Sequence, residues 1–302
     1  MTAHPATTLR SPDGRLEAAF VPSLAMLGSS LTADGAQLLD LRGGVEAYAE
    51  HGSTMGIPLL HPWANRLAEP SYRVEDRDVA VDTASPLVHT DGNGLAIHGC
   101  HPAAVPFAIA DHDQAGLVAV LDTAAAPAVL ELFPFPHRLT MEARLDGRAL
   151  RITTTLEATG DAAVPVAFGH HPYLHLPDAP RDEWQISLPE MSRLELDGLM
   201  IPTGRRLPRD LDPGPLADRD LDDAFADVAD GAAFAVAGGG RTITVRFLEG
   251  YRFAQVYSPR GSSLICFEPM TAPGNALRSG DGLQVLEPGQ SHRGSFAIEI
   301  AG

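Results

Sequence analysis

Four short stretches gather most of the residues able to do acid–base or binding chemistry. In Phe267-Glu268-Pro269-Met270-Thr271 a carboxylate directly follows the apolar run Leu264-Ile265-Cys266-Phe267. A carboxyl group leaving a hydrophobic strand is partly desolvated, which raises its pKa toward the working range of a general base. Histidines collect in Ile97-His98-Gly99-Cys100-His101-Pro102 and in Phe168-Gly169-His170-His171-Pro172-Tyr173-Leu174-His175-Leu176. Both runs place imidazoles beside Gly and Pro at the end of an apolar segment, where a strand meets a loop and a rigid sheet can present binding groups. The fourth stretch is Pro58-Leu59-Leu60-His61-Pro62-Trp63-Ala64-Asn65-Arg66-Leu67. Its indole can stack on a sugar ring, and its amide and guanidinium can donate to hydroxyls. Each cluster alone has a structural explanation: a loop histidine, a carboxylate paired with a structural arginine, a core Trp63, a turn capped by Asn65-Arg66. Their co-occurrence points to acid–base chemistry on a small polar molecule.

Other chemistries find less support. His98-x-x-His101 with His170 or His171 offers imidazoles for zinc, but neither the spacing nor a helical HExxH context is present. No GxSxG elbow, Cys-His signature, P-loop or dinucleotide fingerprint occurs, so neither a metal nor a cofactor is expected. The 302 residues carry a formal net charge of −17. That field repels phosphate backbones and anionic lipid, so neither nucleic acid nor a membrane is an expected partner. Local cations such as Arg73, Arg77 or Arg278 could still hold a phosphorylated small molecule. Two cysteines without a CxxC pair fit a reducing compartment. The first 22 residues lack the apolar run of a signal peptide, and no stretch approaches ~20 apolar residues, so a cytoplasmic location is expected.

The elements that must position these groups read as strands. Gly (29) and Pro (25) are spread along the whole chain, punctuating many short elements. Residues 139–145 alternate apolar and polar, Asp146-Gly147 follows, and alternation resumes through Ile152, Thr154 and Leu156. That is a hairpin signature, with Asp-Gly expected in a type I′ turn. Gly238-Gly239-Gly240 joins a second pair, 233–237 and 242–247. Further strands are expected at 16–21, 72–81, 117–121, 253–257, 263–267 and 295–300. Helical spacing occurs once, at Leu221, Phe225 and Val228, and predicts a short surface helix. Residues 205–223 read as a long acidic connection. The fold class is therefore all-β and mostly antiparallel, a large sandwich in preference to a small barrel, with 1–302 as a single domain.

Taken in order, the clusters resemble the aldose 1-epimerase (galactose mutarotase-like) family. Ala64-Asn65-Arg66-Leu67 is similar to the family's Asn-Arg motif, and Ile97-His98-Gly99 to its His-Gly motif. His171-Pro172-Tyr173-Leu174-His175-Leu176 resembles its His-x-Tyr-Phe-Asn-Leu motif. Asp222-Asp223-Ala224-Phe225 resembles its Asp-x-x-Phe segment, and Phe267-Glu268-Pro269-Met270-Thr271 its Glu-Pro-x-Thr motif. The resemblance runs from about residue 15 to the C-terminus. It departs at Cys100, where the family has a second Gly, and at Leu174-His175, where it has Phe-Asn.

The resemblance implies a large twisted antiparallel β-sandwich, the galactose mutarotase-like supersandwich, with a sugar in an open cleft and a cofactor-free reaction. Glu268 takes the place of the family base and His171 of its acid. Arg66 and His98 would bind ring and hydroxyl oxygens, and Asp222 would accept hydroxyl hydrogen bonds. Asn65, Gln255, Trp63 and Tyr173 are further candidate sugar contacts. The doublets His170-His171 and Asp222-Asp223 each offer two candidates; spacing to Tyr173 selects His171, and spacing to Phe225 selects Asp222. The function expected is interconversion of the α and β anomers of a free aldose. The alternatives are a hexose-6-phosphate 1-epimerase and a non-catalytic sugar-binding or regulatory protein. The only partner expected is the small sugar, on a monomer or homodimer.

Overall fold

A computed structural model describes residues 4–209 and 211–302. Two large antiparallel sheets dominate it. The first runs Ala108–His112, Gly116–Asp122, His137–Asp146, Ala149–Ala158, Ser291–Ala301, Arg241–Glu249, Ala232–Gly238, Gln185–Ser187, Gly214–Pro215 in spatial order. The second runs Pro202–Pro208, Ser192–Leu196, Leu221–Ala226, Phe253–Ser258, Ile265–Met270, Gly169–His170, Leu59–Leu60, and Tyr173–Leu174 also pairs with Ile265–Met270. A smaller sheet of Thr7–Arg10, Leu16–Val21, Leu27–Ala33 and Ala36–Gln37 lies outside these two.

The two large sheets share one core. Phe234 and Phe247 from the first meet Phe267 from the second, with ring centroids of Phe234 and Phe267 5.7 Å apart. All three are fully buried, as are Phe225 and Phe296. Side chains alternate across a pleated strand, so the second sheet divides cleanly into two faces. Ile265 and Phe267, Ala254 and Val256, and Leu221 and Phe225 point into the core. Cys266 and Glu268, Gln255 and Tyr257, and Asp222 and Ala224 occupy the opposite face.

Both hairpins form. The long one pairs Asp146 with Ala149, so its turn residues are Gly147 and Arg148 instead of Asp-Gly. Only Gly147 has a positive φ (58°), the pattern of a type II′ turn and not the expected I′. The second pairs Gly238 with Arg241 across Gly239-Gly240, both of positive φ, as a I′ turn requires. Residues 72–81 form two strands, Ser71–Val74 and Arg77–Ala80, and not one.

Two expectations are corrected. Leu221–Ala226 is a strand, not a helix. Leu221 and Phe225 are four apart, a spacing that places residues on one face under either period; Val228 lies beyond Asp227, whose left-handed φ of 60° follows the end of the strand. Residues 205–223 are not one long connection, because Pro202–Pro208 and Gly214–Pro215 are strands; Asp210 and residues 1–3 lie outside the described residues. Among the described residues, no helix is long and apolar enough to cross a membrane.

Candidate active site

The outward face of the second sheet is the floor of a cleft of about 190 Å³. Its register sets the lattice of functional groups. Asp222 lies opposite Tyr257, Tyr257 opposite Cys266, and Cys266 opposite Tyr173. One step along, Ala224 lies opposite Gln255 and Gln255 opposite Glu268. Gln255 and Glu268 line the cleft, while Ala224 packs beside it in a small apolar cluster with Ala64, Phe253 and Met270. The walls come from loops that carry Arg42, Thr54, Asn65, Arg66 and Asp91, and from the paired strands Val88–Thr90 and Ala96–Cys100, which carry His89 and His98.

Glu268 and His171 are in direct contact. His171 Nε2 lies 3.1 Å from Glu268 Oε1, with the side chains 7% and 2% exposed. Burial raises the Glu268 carboxyl well above its ordinary range; the Asp222 carboxylate adds to the rise and Arg66 opposes it. Burial lowers the His171 imidazole well below its usual value, and His98 and Arg42 push it the same way. Both neutral forms are favoured, so the pair carries one proton between two heavy atoms at hydrogen-bond distance.

His171 stacks on Tyr173, with centroids 4.4 Å apart and planes 5° from parallel. The Tyr173 hydroxyl is 2.6 Å from Thr54 Oγ1, 3.4 Å from His171 Nε2, and accepts from Arg42 at 3.3 Å. Facing His171 edge-on is His98, 5.6 Å between centroids. His98 sits in the left-handed region (φ 63°), as does Gly99 (φ 76°). A Cβ on Gly99 would fall 2.2 Å from the His61 carbonyl oxygen, so only glycine fits there. These two left-handed residues kink the strand Ala96–Cys100 where it brings His98 to the cleft. The Asn65 N–H donates to His98 Nδ1 at 3.3 Å, which leaves Nε2 carrying the proton. Burial, with Arg66 and His89 nearby, lowers the His98 pKa to about 3, so it is a neutral donor.

Arg66 is clamped from both sides. Its Nε donates to Asp91 Oδ2 at 2.7 Å and its Nη1 to Asn65 Oδ1 at 3.2 Å. Asp91 Oδ1 meanwhile accepts from the main chain of Asn93 and Leu95. Gln255 bridges the floor, accepting from Asn65 Nδ2 at 3.4 Å and donating to Asp222 Oδ1 at 2.6 Å. Burial raises the Asp222 carboxyl, opposed by the Gln255 hydrogen bond.

The structure thus brings Glu268, His171, Arg66, Asn65, His98, Asp222, Gln255 and Tyr173 to one cleft. Trp63 does not join them. Its ring is 1% exposed and packs edge-on against Tyr72 inside the core, so the expected sugar platform is a core residue. Both doublets resolve by strand alternation. His170 points into the core and meets Thr154 Oγ1 at 3.0 Å, while His171 reaches the cleft. Asp223 shares the core-side parity of Phe225 and pairs with Arg193, while Asp222 lies on the floor. His101 serves its own segment: its Nδ1 accepts from Ala103 N and caps a short turn. His175 binds the Ser263 carbonyl. Arg73 pairs with Asp78, Arg77 reaches the Pro134 carbonyl, and Arg278 pairs with Glu69; none of the three lines the cleft.

Residues of the cleft that the sequence did not single out are Arg42, Thr54, His89 and Asp91 of the walls and Tyr257 of the floor. Asp91 opens the turn Asp91-Gly92-Asn93-Gly94, and nothing in that string separates an arginine clamp from an ordinary turn.

Comparison with known proteins places this geometry. The family model described as aldose 1-epimerase matches residues 25–299. The uncharacterized protein YihR of Escherichia coli (strain K12) is 26% identical over 260 residues, covering 80% of each chain. A galactose mutarotase-like protein from Clostridium acetobutylicum superimposes with a TM-score of 0.81 at 16% identity, covering 96% of this chain and 93% of that one. An aldose epimerase homologue from C. elegans gives 0.77 at 15% identity and covers 99% of both chains. The solved structures establish the galactose mutarotase-like fold, and with the family model spanning nearly the whole sequence the chain belongs to the aldose 1-epimerase family.

Proposed function

We propose that the protein is a mutarotase that interconverts the α and β anomers of a free aldose, with Glu268 as base and His171 as acid. The observation that carries this is the buried 3.1 Å contact between Glu268 Oε1 and His171 Nε2. The anomeric hydroxyl and the ring oxygen are bonded to the same carbon. A base and an acid this close together can address both oxygens of that carbon at once.

The steps are proton transfers and balance without a further reactant. As the sugar docks, the pair's shared proton passes from Glu268 Oε1 to His171 Nε2; the Glu268 carboxylate then takes the proton of the anomeric hydroxyl while His171 Nε2 gives its proton to the ring oxygen. The bond from the anomeric carbon to the ring oxygen breaks as the carbonyl forms. Rotation about the neighbouring carbon–carbon bond turns the other carbonyl face to the ring hydroxyl. Reclosure reverses both transfers and restores the pair. Each transfer contributes on the order of 10²–10⁴-fold. Arg66 and His98 supply donors to hydroxyl or ring oxygens, and Asp222 an acceptor. The cleft volume of about 190 Å³ lies below the roughly 300–1,000 Å³ of drug-sized sites, which suits a single sugar ring.

A purely sugar-binding role does not explain the pair, because burying two ionisable groups is costly and binding needs neither. A phosphorylated substrate would need a cation at the cleft rim, where Arg42 stands.

The test is polarimetry on freshly dissolved α-anomers of several hexoses and pentoses, with glucose 6-phosphate in the panel. At least one free aldose is expected to equilibrate faster with protein than without. Acceleration of the phosphate ester alone would replace the proposal with the 6-phosphate reading. Binding without acceleration of any sugar would contradict both.

A further inference from the structure

A catalytic imidazole is ordinarily oriented by a partner on the nitrogen that does not do the chemistry. His171 lacks one: its buried Nδ1 has no partner beyond its own main chain among the described residues. Its orientation must come from the ring face and from Nε2 itself. On the face lies Tyr173, parallel within 5°. At Nε2 lie only Glu268 Oε1 and, at 3.4 Å, the Tyr173 hydroxyl. When a sugar enters and draws Glu268 onto the anomeric hydroxyl, Tyr173 is the contact that stays.

The Tyr173 hydroxyl is itself held. Arg42 can only donate, so the phenol oxygen accepts from it at 3.3 Å; Thr54 at 2.6 Å can then take the phenol proton. Because the two rings are parallel within 5°, the phenol oxygen lies over the imidazole face and outside the plane of the Nε2 proton, so what the Thr54 and Arg42 bonds hold in place is the stacked ring. The Arg42 guanidinium carbon stands 5.3 Å from the Tyr173 ring centroid. The carboxylates lining the cleft each have a partner: Asp91 on Arg66, Glu268 on His171, Asp222 on Gln255. Arg42 has no carboxylate within ion-pair distance among the described residues; Asp40, on the same segment, accepts from the Arg42 main-chain N–H instead. The left-handed φ of 42° at Arg42 is a strained conformation for arginine, of the kind that concentrates at functional sites.

We propose that Tyr173, fixed by Thr54 and Arg42, is the positioning residue that keeps the His171 Nε2 proton aimed at the ring oxygen, and that the Arg42 charge makes that proton easier to give up. The proposal rests on the acid–base roles assigned above to Glu268 and His171. The groups facing His171 are Glu268, Tyr173 and Tyr257 on neighbouring strands, His98 across the cleft, and Arg42 behind Tyr173. Arg66 and Asp222 act on the Glu268 end of the pair, and Arg42 is the lasting positive charge acting on His171.

The test uses the full chain and a sugar the wild type accelerates. Tyr173→Phe removes the hydroxyl and keeps the stacked ring; kcat is expected to fall about tenfold or more with KM nearly unchanged, the split of an interaction made in the transition state. Arg42→Gln is expected to move both limbs of the pH profile of kcat/KM upward by about half a pH unit, as for loss of a nearby, partly screened charge, and Arg42→Lys to restore them. Those limbs report the free enzyme, so a mere sugar contact at Arg42 would raise KM and leave them in place. Unmoved limbs in Arg42→Gln, or a Tyr173→Phe loss confined to KM, would overturn the proposal. Full activity in Glu268→Gln would instead overturn the acid–base reading beneath it.

Discussion

Burial sets the protonation of the Glu268–His171 pair, and the pair's one proton is what the proposed anomer interconversion needs. A second proton enters as pH falls, and because burial holds His171 low, that limb lies below the ordinary imidazole value of 6.5. The single proton leaves as pH rises, and because burial holds Glu268 high, that limb lies well above the ordinary carboxylate value of 4.5. The kcat/KM profile of the wild type is therefore expected to be a broad bell whose limbs belong to the pair jointly; an acid limb at or above 6.5 would contradict the arrangement. Arg66 gives a second prediction. Asp91→Ala releases a charged hydrogen bond of a kind worth about 1.5–3 kcal/mol, so kcat/KM should fall about ten- to hundredfold in steady-state polarimetry, with Arg66→Ala no longer additive to it. Residue identities at the floor were legible because Glu268, His171 and Asp222 stand in recognisable strings. Asp91, Thr54 and Arg42 were not, since their roles come from chain crossings that no local spacing records. Trp63 shows the converse: an indole beside Asn65-Arg66 suggests a sugar platform, yet its size makes it worth more in the core.

Strand alternation is what turns neighbouring residues into opposite roles. His170 and His171 differ by one position and face a core threonine and the Glu268 carboxylate; Asp222 and Asp223 divide the same way. Hairpins were readable because a period of two flanking Gly-rich turns has few other solutions. The segment 221–228 was misread because Leu221 and Phe225 satisfy both periods, and only pairing with Phe253–Ser258 decides between them. The crossing of the His61 and His98 segments carries its own prediction. Gly99→Ala sets a Cβ against the His61 carbonyl at a positive φ. It should destabilise the fold by about 3 kcal/mol or more, seen as a lowered urea midpoint, with residual activity reduced through His98. A variant of unchanged midpoint would show that the kinked strand relaxes freely.

Across the molecule, several histidines are buried in neutral form. His170 is held at about 3 and His137 at about 4, both chiefly by burial. His61, 3.1 Å from His137 through paired Nε2 atoms, is pushed well down by burial and by that neighbour. Unfolded, each would titrate near 6.5. Below that value the unfolded chain binds more protons than the folded one, so stability is complete above 6.5 and is lost as pH falls toward the folded values. Each such group removes about 1.4 kcal/mol per pH unit. Urea unfolding at about pH 5 should therefore show at least about 2 kcal/mol less stability than at neutral pH, an amount one group alone supplies; equal stability would contradict neutral burial. The all-β sandwich as a whole was legible from its punctuation and alternation. Which face of which sheet bears the cleft was not, because that depends on how two sheets meet. The account as a whole stands on one contact, and the most direct test of it is the rate of anomer equilibration, followed by polarimetry, for wild type, Glu268→Gln, His171→Asn and the double variant. Each single variant is expected to lose about 10²–10⁴-fold, and the double variant little more than the worse single, as for two groups acting as a unit; single variants that equilibrate the sugar at the wild-type rate would contradict it.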